Sequence, residues 1–195
     1  LLPTVRKLIA ARDLSDLPTP SVQPTKDGYI ITPESGIQLP ANLFEDVDPE
    51  GLTIYLPGEG RHASIEAGAI RRLAKQQGTQ VLAVDLRGLG ETKKAGQLRG
   101  FGEYFGPDWK DPMPASLLGK SYVGFRTEDI WQLVRAWRKH IGNPNLRPHL
   151  IATGEAAIPA LHAAALEPDL FGDIHLSESI ESWNQIVETP VVRQQ

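Results

Sequence analysis

The residues most able to carry chemistry lie in one stretch, where a short apolar run, several small residues and an apolar helical pattern follow one another directly. Residues 149–152 have the length and composition of a strand, and residues 158–166 have the composition of a buried helix. A strand that passes into a helix within so few residues requires small side chains, because the helix begins almost on top of the strand. This geometry is typical of a nucleophile elbow, which exposes one reactive side chain on a sharp turn.

The central position of such a turn should hold Ser, Cys or Asp, and here it holds none of them. Counting back from the helix places Gly154 at this position, whereas counting forward from the strand places Glu155 there. We prefer the helix count, because helix packing fixes the register of the small residues. Glu155 is a candidate nucleophile or general base. The alternative is an acidic residue in the first turn of a helix, where the helix dipole favours it.

The length and composition fit one globular domain with a sizeable core. The chain has 195 residues and a formal net charge of −4, which gives no electrostatic reason to expect a nucleic acid partner. No apolar run approaches the length of a membrane span, so no membrane partner is expected. The absence of cysteine excludes disulfides and thiolate chemistry. No cluster of His, Asp and Glu has metal-ligand spacing, and no cofactor is expected.

The predicted elements alternate along the chain, which favours a parallel sheet with crossover helices. Strands are predicted at 28–32, 37–44, 52–56, 81–85, 149–152 and 174–176. Helices are predicted at 4–13, 64–76, 128–140, 158–166 and 180–187, and a proline-rich loop at 17–24. The first two strands form a hairpin around a turn at 33–36. We expect a single domain over 1–195, with an N-terminal extension at 1–25 and a lid-like insertion at 93–127.

The order of these elements resembles the α/β-hydrolase fold. Residues 85–92, Asp-Leu-Arg-Gly-Leu-Gly-Glu-Thr, resemble the Asp-x-Arg-Gly-x-Gly-x-Ser/Thr turn that follows the fourth strand in that family, and residues 52–60 resemble its third strand and oxyanion loop. Residues 118–129 and 35–40 are similar to segments of acetylxylan-esterase-like carbohydrate esterases. The resemblance spans residues 26–187. It implies an incomplete α/β-hydrolase fold, with a mainly parallel sheet, helices on both faces and an N-terminal antiparallel hairpin.

Two departures from the family bear on activity. The Gly-x-Ser-x-Gly motif of the family is Ala-Thr-Gly-Glu-Ala at residues 152–156, so the serine is replaced. The chain also stops soon after the segment that resembles the sixth strand, whereas the family places its catalytic histidine after the eighth. The C-terminal part of the fold, with that histidine, is therefore expected to be missing from this polypeptide, and the remainder of a larger polypeptide is an expected partner.

The candidate substrate-binding residues lie in the segments that resemble the oxyanion loop and the elbow. Gly58, Glu59 and Gly60 could supply a backbone N–H to an oxyanion hole. The alternative is a glycine-rich turn that geometry alone requires. Gly154 and His62 complete the set, although a histidine at the start of a helix is often simply solvated.

The candidate catalytic residues are Glu155 and Glu178. Glu178 follows the last predicted strand, where some members of the family place a triad acid. Asp85 and Arg87 are expected to hold their turn together rather than to act on substrate. His140 stands at the C-terminus of a predicted helix, where the dipole favours it, and the remaining histidines are expected to pack or to form structural hydrogen bonds: His149, His162 and His175.

The sequence leaves two functions open. In the first, the protein is a catalytically silent α/β-hydrolase-like domain that binds a partner or has a structural role, because no serine stands at the elbow. In the second, it is an ester hydrolase that deacetylates carbohydrate esters with an unorthodox nucleophile or with residues outside this chain. A carbohydrate or an ester is the expected ligand.

Overall fold

The computed structural model describes residues 1–45, 51–66, 68–93 and 110–180, together with 182, 184 and 188. The strands are Ser21–Thr25 (β1), Gly28–Thr32 (β2), Leu39–Phe44 (β3), Leu52–Leu56 (β4), Gln80–Val84 (β5), His149–Thr153 (β6) and Ile174–Ser177 (β7). The α-helices within the described residues are Leu2–Leu8 (α1), Arg61–Glu66 (α2), Ala69–Gln77 (α3), Pro112–Leu117 (α4), Tyr122–His140 (α5) and Ala157–Leu166 (α6).

The strands form one mixed sheet in the order β1-β2-β3-β5-β4-β6-β7. Strand β4 is central and pairs in parallel with β5 on one side and with β6 on the other, and β6 continues in parallel to β7. Strands β1 to β3 form an antiparallel meander, which joins the parallel strands through β3 and β5. The predicted neighbourhood of residues 52–56, 81–85 and 149–152 in one sheet is therefore confirmed, as is the N-terminal hairpin.

Alternating side chains of the central strands face two separate cores. Leu82 and Val84 belong to the larger core, which also contains Trp131 of α5. Val81 and Ala83 point to the opposite face and pack with Ile70 of α3 in a smaller core. The period-two alternation of a strand thus gives apolar side chains to both faces, and helices cover both, as the sequence predicted.

Helix α5 is the main support of the larger core. Ser121 caps its N-terminus, because the Ser121 hydroxyl accepts a hydrogen bond from the backbone N–H of Gly124. Trp131 is completely buried, and its indole N–H donates to the carbonyl of Ala163 in α6 at 3.0 Å. A Cβ at Gly124 would lie 2.0 Å from the carbonyl oxygen of Ile9, so glycine allows the N-terminal segment to contact this helix directly.

The structure differs from the predicted elements in several places; the helix predicted at 4–13, for example, is Leu2–Leu8, and the strand predicted at 37–44 begins at Leu39. Residues 21–24, predicted as the end of a loop at 17–24, belong to β1; this is an edge strand, where the missing N–H of Pro24 is tolerated. The predicted helix at 64–76 is divided into α2 and α3 around Gly68, which has a φ of +66°. The helix predicted from residue 128 begins at residue 122, because Ser121 caps it. Most of the helix predicted at 180–187, and residues 94–109 of the insertion, lie outside the described residues.

The close packing of α6 on α5 predicts a steric limit at Ala160, which is completely buried. Replacing Ala160 by Leu should lower the free energy of unfolding by about 1–3 kcal/mol, because a well-packed core has no room for three more carbon atoms. Ala165→Leu is the control, since Ala165 is exposed on the same helix, and should change stability by less than about 0.5 kcal/mol. Urea denaturation measures both, and equal stability of the two variants would contradict this account of the packing.

Candidate functional site

The turn between β6 and α6 has the geometry of a nucleophile elbow with glycine at its centre. Strand β6 ends at Thr153, and a short 3₁₀ turn over Gly154–Ala156 leads directly into α6. Gly154 is buried and has a φ of +55°, a conformation that L side chains rarely adopt. This confirms the positive φ that was predicted for Gly154.

The loop after β4 lies directly against this elbow. A Cβ at Gly58 would be 2.7 Å from the backbone nitrogen of Glu155 and 2.7 Å from the carbonyl oxygen of Thr153. The backbone N–H of Gly58 donates to the side-chain hydroxyl of Thr153 at 3.3 Å. The structure therefore brings Gly58, Gly154 and Glu155 together, as an oxyanion site requires, but a side-chain hydroxyl already accepts from one of the backbone donors.

Asp85 anchors this loop to the turn after β5. Its carboxylate is completely buried and accepts hydrogen bonds from the backbone N–H of Arg61 at 2.7 Å, the guanidinium of Arg61 at 2.5 Å and the backbone N–H of Glu91 at 3.0 Å. A Cβ at Gly90 would lie 2.3 Å from the Asp85 carboxyl carbon, and one at Gly60 would lie 2.4 Å from the Cα of Gly90. The glycines of both turns are thus required by close packing around one carboxylate, and Asp85 has the structural role predicted for it.

His62 and Glu59 lie at the exposed edge of this assembly. The Nε2 atom of His62 pairs with a carboxylate oxygen of Glu91, and Arg61 donates to the other oxygen at 2.9 Å. The hydrogen bond from Arg61, followed by that from His62, lowers the pKa of Glu91. The His62 side chain is 57% exposed, and Glu59 is exposed as well. The geometry directs His62 towards Glu91 rather than towards the elbow.

Of the other four histidines, His149 and His162 form the hydrogen bonds expected of them. The Nδ1 atom of His149 accepts from the backbone N–H of Asp173, and His162 lies within hydrogen-bond distance of a carbonyl of its own helix. His140 packs edge-on against Tyr29. His175 is exposed on β7, opposite residue 151 of β6.

The two candidate catalytic carboxylates lie at the ends of neighbouring strands. Glu155 is half-buried, and one of its oxygens is 3.7 Å from the guanidinium of Arg126, which also donates to the carbonyl of Arg87 at 2.9 Å. Glu178 follows β7, whose last residue, Ser177, is opposite Thr153. Glu178 is exposed and has a φ of +55°, a strained conformation for a residue with a Cβ. Their catalytic roles stay predictions.

Sequence reasoning missed a charged network behind the turn after β5. Arg87 donates two hydrogen bonds of 2.6 Å to the buried carboxylate of Asp129 and a third, of 3.0 Å, to Glu34. Arg12 donates to Glu34 at 2.9 Å and to the buried carboxylate of Glu128 at 2.6 Å. These five residues join the N-terminal segment, the β2–β3 turn, the turn after β5 and α5. Their separation of 22 to 116 positions in sequence left no local pattern to find.

Burial and pairing act in opposite directions on the acids of this network. Complete burial raises the pKa of Asp129 to about 6, although the hydrogen bonds from Arg87 oppose the change. Burial also acts to raise the pKa of Glu34, but the hydrogen bonds from Arg12 and Arg87 outweigh it and hold the pKa below its ordinary value. Glu34 is therefore ionised in the folded protein and bridges two guanidinium groups.

The comparisons with known proteins establish the fold. The sequence matches no protein-family model and no curated protein. Among solved structures, a predicted acetyl xylan esterase from Bacteroides fragilis aligns with a TM-score of 0.62 and 13% identity over 88% of this chain. A predicted CIB-like hydrolase from Thermoplasma acidophilum aligns with a TM-score of 0.51 and 15% identity, and covers 89% of this chain and 71% of its own.

These likenesses and the strand order define the class: the chain has a partial α/β-hydrolase fold. The chain spans 50% of the length of the Bacteroides protein. Within the described ranges, no three His, Cys, Asp or Glu side chains are grouped so as to hold a metal ion. The same residues include no helix with the length and apolar character of a membrane span.

The contact between Gly58 and the elbow predicts that this position tolerates only glycine. Gly58→Ala should lower the free energy of unfolding by about 1–3 kcal/mol or more, because its Cβ would meet backbone atoms that cannot move independently. Gly51→Ala is the matched control, since its Cβ would meet only a methyl group of Thr79 at 3.8 Å. Thermal and urea unfolding compare the two, and an alanine at position 58 that leaves stability unchanged would show that the loop and the elbow are not in contact.

The pairing of Glu34 predicts a pH-dependent contribution to stability. A carboxylate with a lowered pKa in the folded state stabilises the protein above its unfolded pKa, about 4.3, and this stabilisation disappears as the pH falls through the folded value. Glu34→Gln should therefore be less stable than the parent at pH 7, and the difference should shrink below about pH 4. Urea denaturation of both proteins between pH 7 and pH 3 measures this difference in the free energy of unfolding. A difference that stays constant down to pH 3 would contradict the ion pairing.

Proposed function

We propose that this chain is an α/β-hydrolase-fold domain that does not hydrolyse esters and that binds a ligand or a partner, or supports further parts of a larger polypeptide. The observation that carries the proposal is Gly154, with its φ of +55°, at the centre of the elbow. Acyl transfer requires a nucleophile, a base and an orienting acid within mutual reach. Glycine supplies no nucleophile, and its conformation is the one that the sharp turn demands.

The state of the backbone donors supports the same proposal. An oxyanion hole acts through N–H groups that point at the developing negative charge. Here the N–H of Gly58 donates to the hydroxyl of Thr153, so binding an oxyanion at this N–H requires that this contact be broken. The side chain that competes with the oxyanion thus comes from the residue just before the elbow.

A second candidate is an ester hydrolase that uses Glu155, with carbohydrate acetates as substrates. Two observations favour it: Glu155 is the first residue after the centre of the turn, and its backbone lies against the Gly58 loop. The name of the Bacteroides protein suggests the substrate class. A carboxylate nucleophile forms a covalent intermediate in some hydrolases. This candidate requires that Glu155→Gln abolish a measurable turnover.

Hydrolysis of p-nitrophenyl acetate, together with labelling by a fluorophosphonate probe, distinguishes the two candidates. We expect a rate equal to that of heat-denatured protein, and no labelling. A rate well above this background that is lost in Glu155→Gln would favour the second candidate. A fluorophosphonate adduct at any serine would overturn the proposal directly, since it would reveal an activated hydroxyl.

Restoring the missing hydroxyl tests how much of the catalytic site is lacking. Gly154→Ser should fold, with a loss of stability on the order of 1–3 kcal/mol from the strained φ, and should not gain esterase activity because no base is in place. Gly142→Ser is the control for strain, since Gly142 has a φ of +69° and no neighbouring atom within 4 Å of its Cβ position. Efficient hydrolysis by Gly154→Ser, with unchanged stability, would mean that a base lies close to the elbow.

A further inference from the structure

A groove of about 480 Å³ lies on the face of the sheet that α3 covers in part. Its floor is a row of three residues that are paired in register on neighbouring strands, Tyr55 of β4, Ile151 of β6 and His175 of β7. Residues paired in this way direct their side chains to the same face of a sheet. Ala69 and Leu73 of α3 form a side wall. The volume is within the range of small-molecule sites.

The groove is distinct from the elbow. The described residues that line it do not include Gly58, Gly154 or Glu155. Ser177, which belongs to the lining, is opposite Thr153 of β6, so one end of the groove reaches the strand that leads into the elbow. The groove is therefore a second place where a ligand could bind.

Three polar side chains of the lining keep unused hydrogen-bond donors. Arg72 is exposed on α3, and a Cβ at Gly68 would lie 3.4 Å from its Nη1 atom, which places the guanidinium beside the first turn of that helix. His175 is exposed and Ser177 is half-buried. Among the residues that the structure describes, none of these three side chains has a hydrogen bond or an ion pair. The groove thus offers a ligand one guanidinium, one imidazole and one hydroxyl group.

The charge of the lining favours an anion. None of the described lining residues is an Asp or a Glu, so Arg72 is not neutralised within the groove. The guanidinium groups of Arg61 and Arg87, by contrast, are each paired with a buried carboxylate. Along β7, Asp173 and Glu178 are exposed and lie outside the lining. A carboxylate or phosphate group can therefore accept charge-assisted hydrogen bonds here, whereas a cation would be repelled and would find no carboxylate in the lining.

The apolar part of the lining is accessible to a ligand. Tyr55 and Leu73 are half-buried and pack on the smaller core, and Ile151 is half-buried as well. The hydroxyl group of Tyr55 lies 3.3 Å from that of Ser64 in α2, which fixes the orientation of the ring. Each of the three apolar side chains keeps some surface in contact with solvent, and a ligand that covers this surface gains from the hydrophobic effect.

We propose that this groove binds a small organic anion, with an apolar body about the size of a benzene ring and one carboxylate or phosphate group. The anionic oxygens accept hydrogen bonds from Arg72, His175 and Ser177, while the apolar body packs on the half-buried side chains of the floor and wall. This deepens the proposed function, because it rests on the binding role proposed above and gives that role a ligand class and a site.

Ligand-observed NMR with four probes that share a phenyl ring tests the ligand class. The probes are phenylacetate and phenyl phosphate (anionic), 2-phenylacetamide (neutral) and benzylammonium (cationic). We expect saturation transfer to at least one anion, and at least tenfold weaker binding of the neutral and cationic probes. Either order of the two anions supports the proposal, and the tighter one identifies the charged group. Equal or tighter binding of the amide or the cation, or the absence of anion binding up to 20 mM, on the order of weak fragment affinity, would overturn the proposal.

Two neighbouring arginines of α3 provide a matched test of the charge. Arg72 lines the groove, whereas Arg71 lies outside the lining, with its guanidinium carbon 5.5 Å from the ring centroid of Phe44. Both side chains are exposed, so Arg72→Gln and Arg71→Gln should fold, and each removes one positive charge. Binding of the tighter anion should weaken at least tenfold in Arg72→Gln and less than twofold in Arg71→Gln. Equal effects would mean that the net charge of the protein, rather than the groove, attracts the anion, and would overturn the proposal.

Two neighbouring residues of β7 test the position of the site. Successive side chains of a strand point to opposite faces, so His175→Trp fills the groove, whereas Ile174→Trp places the same indole on the other face of the sheet. Both positions are exposed. Anion binding should fall at least tenfold in His175→Trp and stay unchanged in Ile174→Trp, and equal effects would place the binding elsewhere and overturn the proposal. These readouts are independent of ester hydrolysis, so the ligand class and the catalytic silence can fail separately.

Discussion

The buried carboxylate of Asp85 is the interaction on which the carboxyl edge of the sheet depends. It accepts from two backbone N–H groups and from the guanidinium of Arg61, and it thereby joins the loop after β4 to the turn after β5. A buried carboxylate is expensive unless it is paired and hydrogen-bonded. Because all three donors come from these two turns, the turns can hardly move apart without leaving a charge unpaired in the interior.

Glycine makes this arrangement possible at several points where backbone meets backbone. Gly60 and Gly90 approach each other beside Asp85, and Gly58 lies against the elbow. Each position would place a Cβ within 3 Å of a neighbouring atom, so the constraint is steric as well as conformational. The close approach of the loop after β4 to the elbow thus depends on glycine at residue 58, and the centre of the turn is itself a glycine, Gly154, with a positive φ.

The predictions made from the sequence were correct for those elements that local sequence patterns specify. The central strands, the hairpin and the elbow were found because apolar periodicity and turn residues are local signals. The positive φ of Gly154 followed from the same reasoning, since a strand and a helix joined so closely allow few conformations. The extension of α5 to residue 122 was missed because buried polar residues such as Arg126 and Thr127 do not look like a core-facing helix.

The charged network could not be predicted from the sequence, for a different reason. Arg12 and Glu128 pair across 116 positions, and nothing in the residues near either one specifies the other. Their pairing becomes evident only when the sheet and α5 bring both to the same place. For the same reason the groove could not be predicted, because its lining comes from three strands and a helix that are distant in sequence.

The N-terminal segment has a consequence for the order in which the chain folds. Arg6 pairs with Glu167 across 161 positions, and Lys120 donates to the carbonyl of Ala10 across 110. These contacts require most of the polypeptide to be present, and closing such long loops costs entropy before any contact repays it. During synthesis Arg6 and Ala10 leave the ribosome well before Lys120 and Glu167, so these contacts of the N-terminal segment can form only after their partners have emerged. A segment that is made before its partners therefore completes its packing only when residues made much later are present.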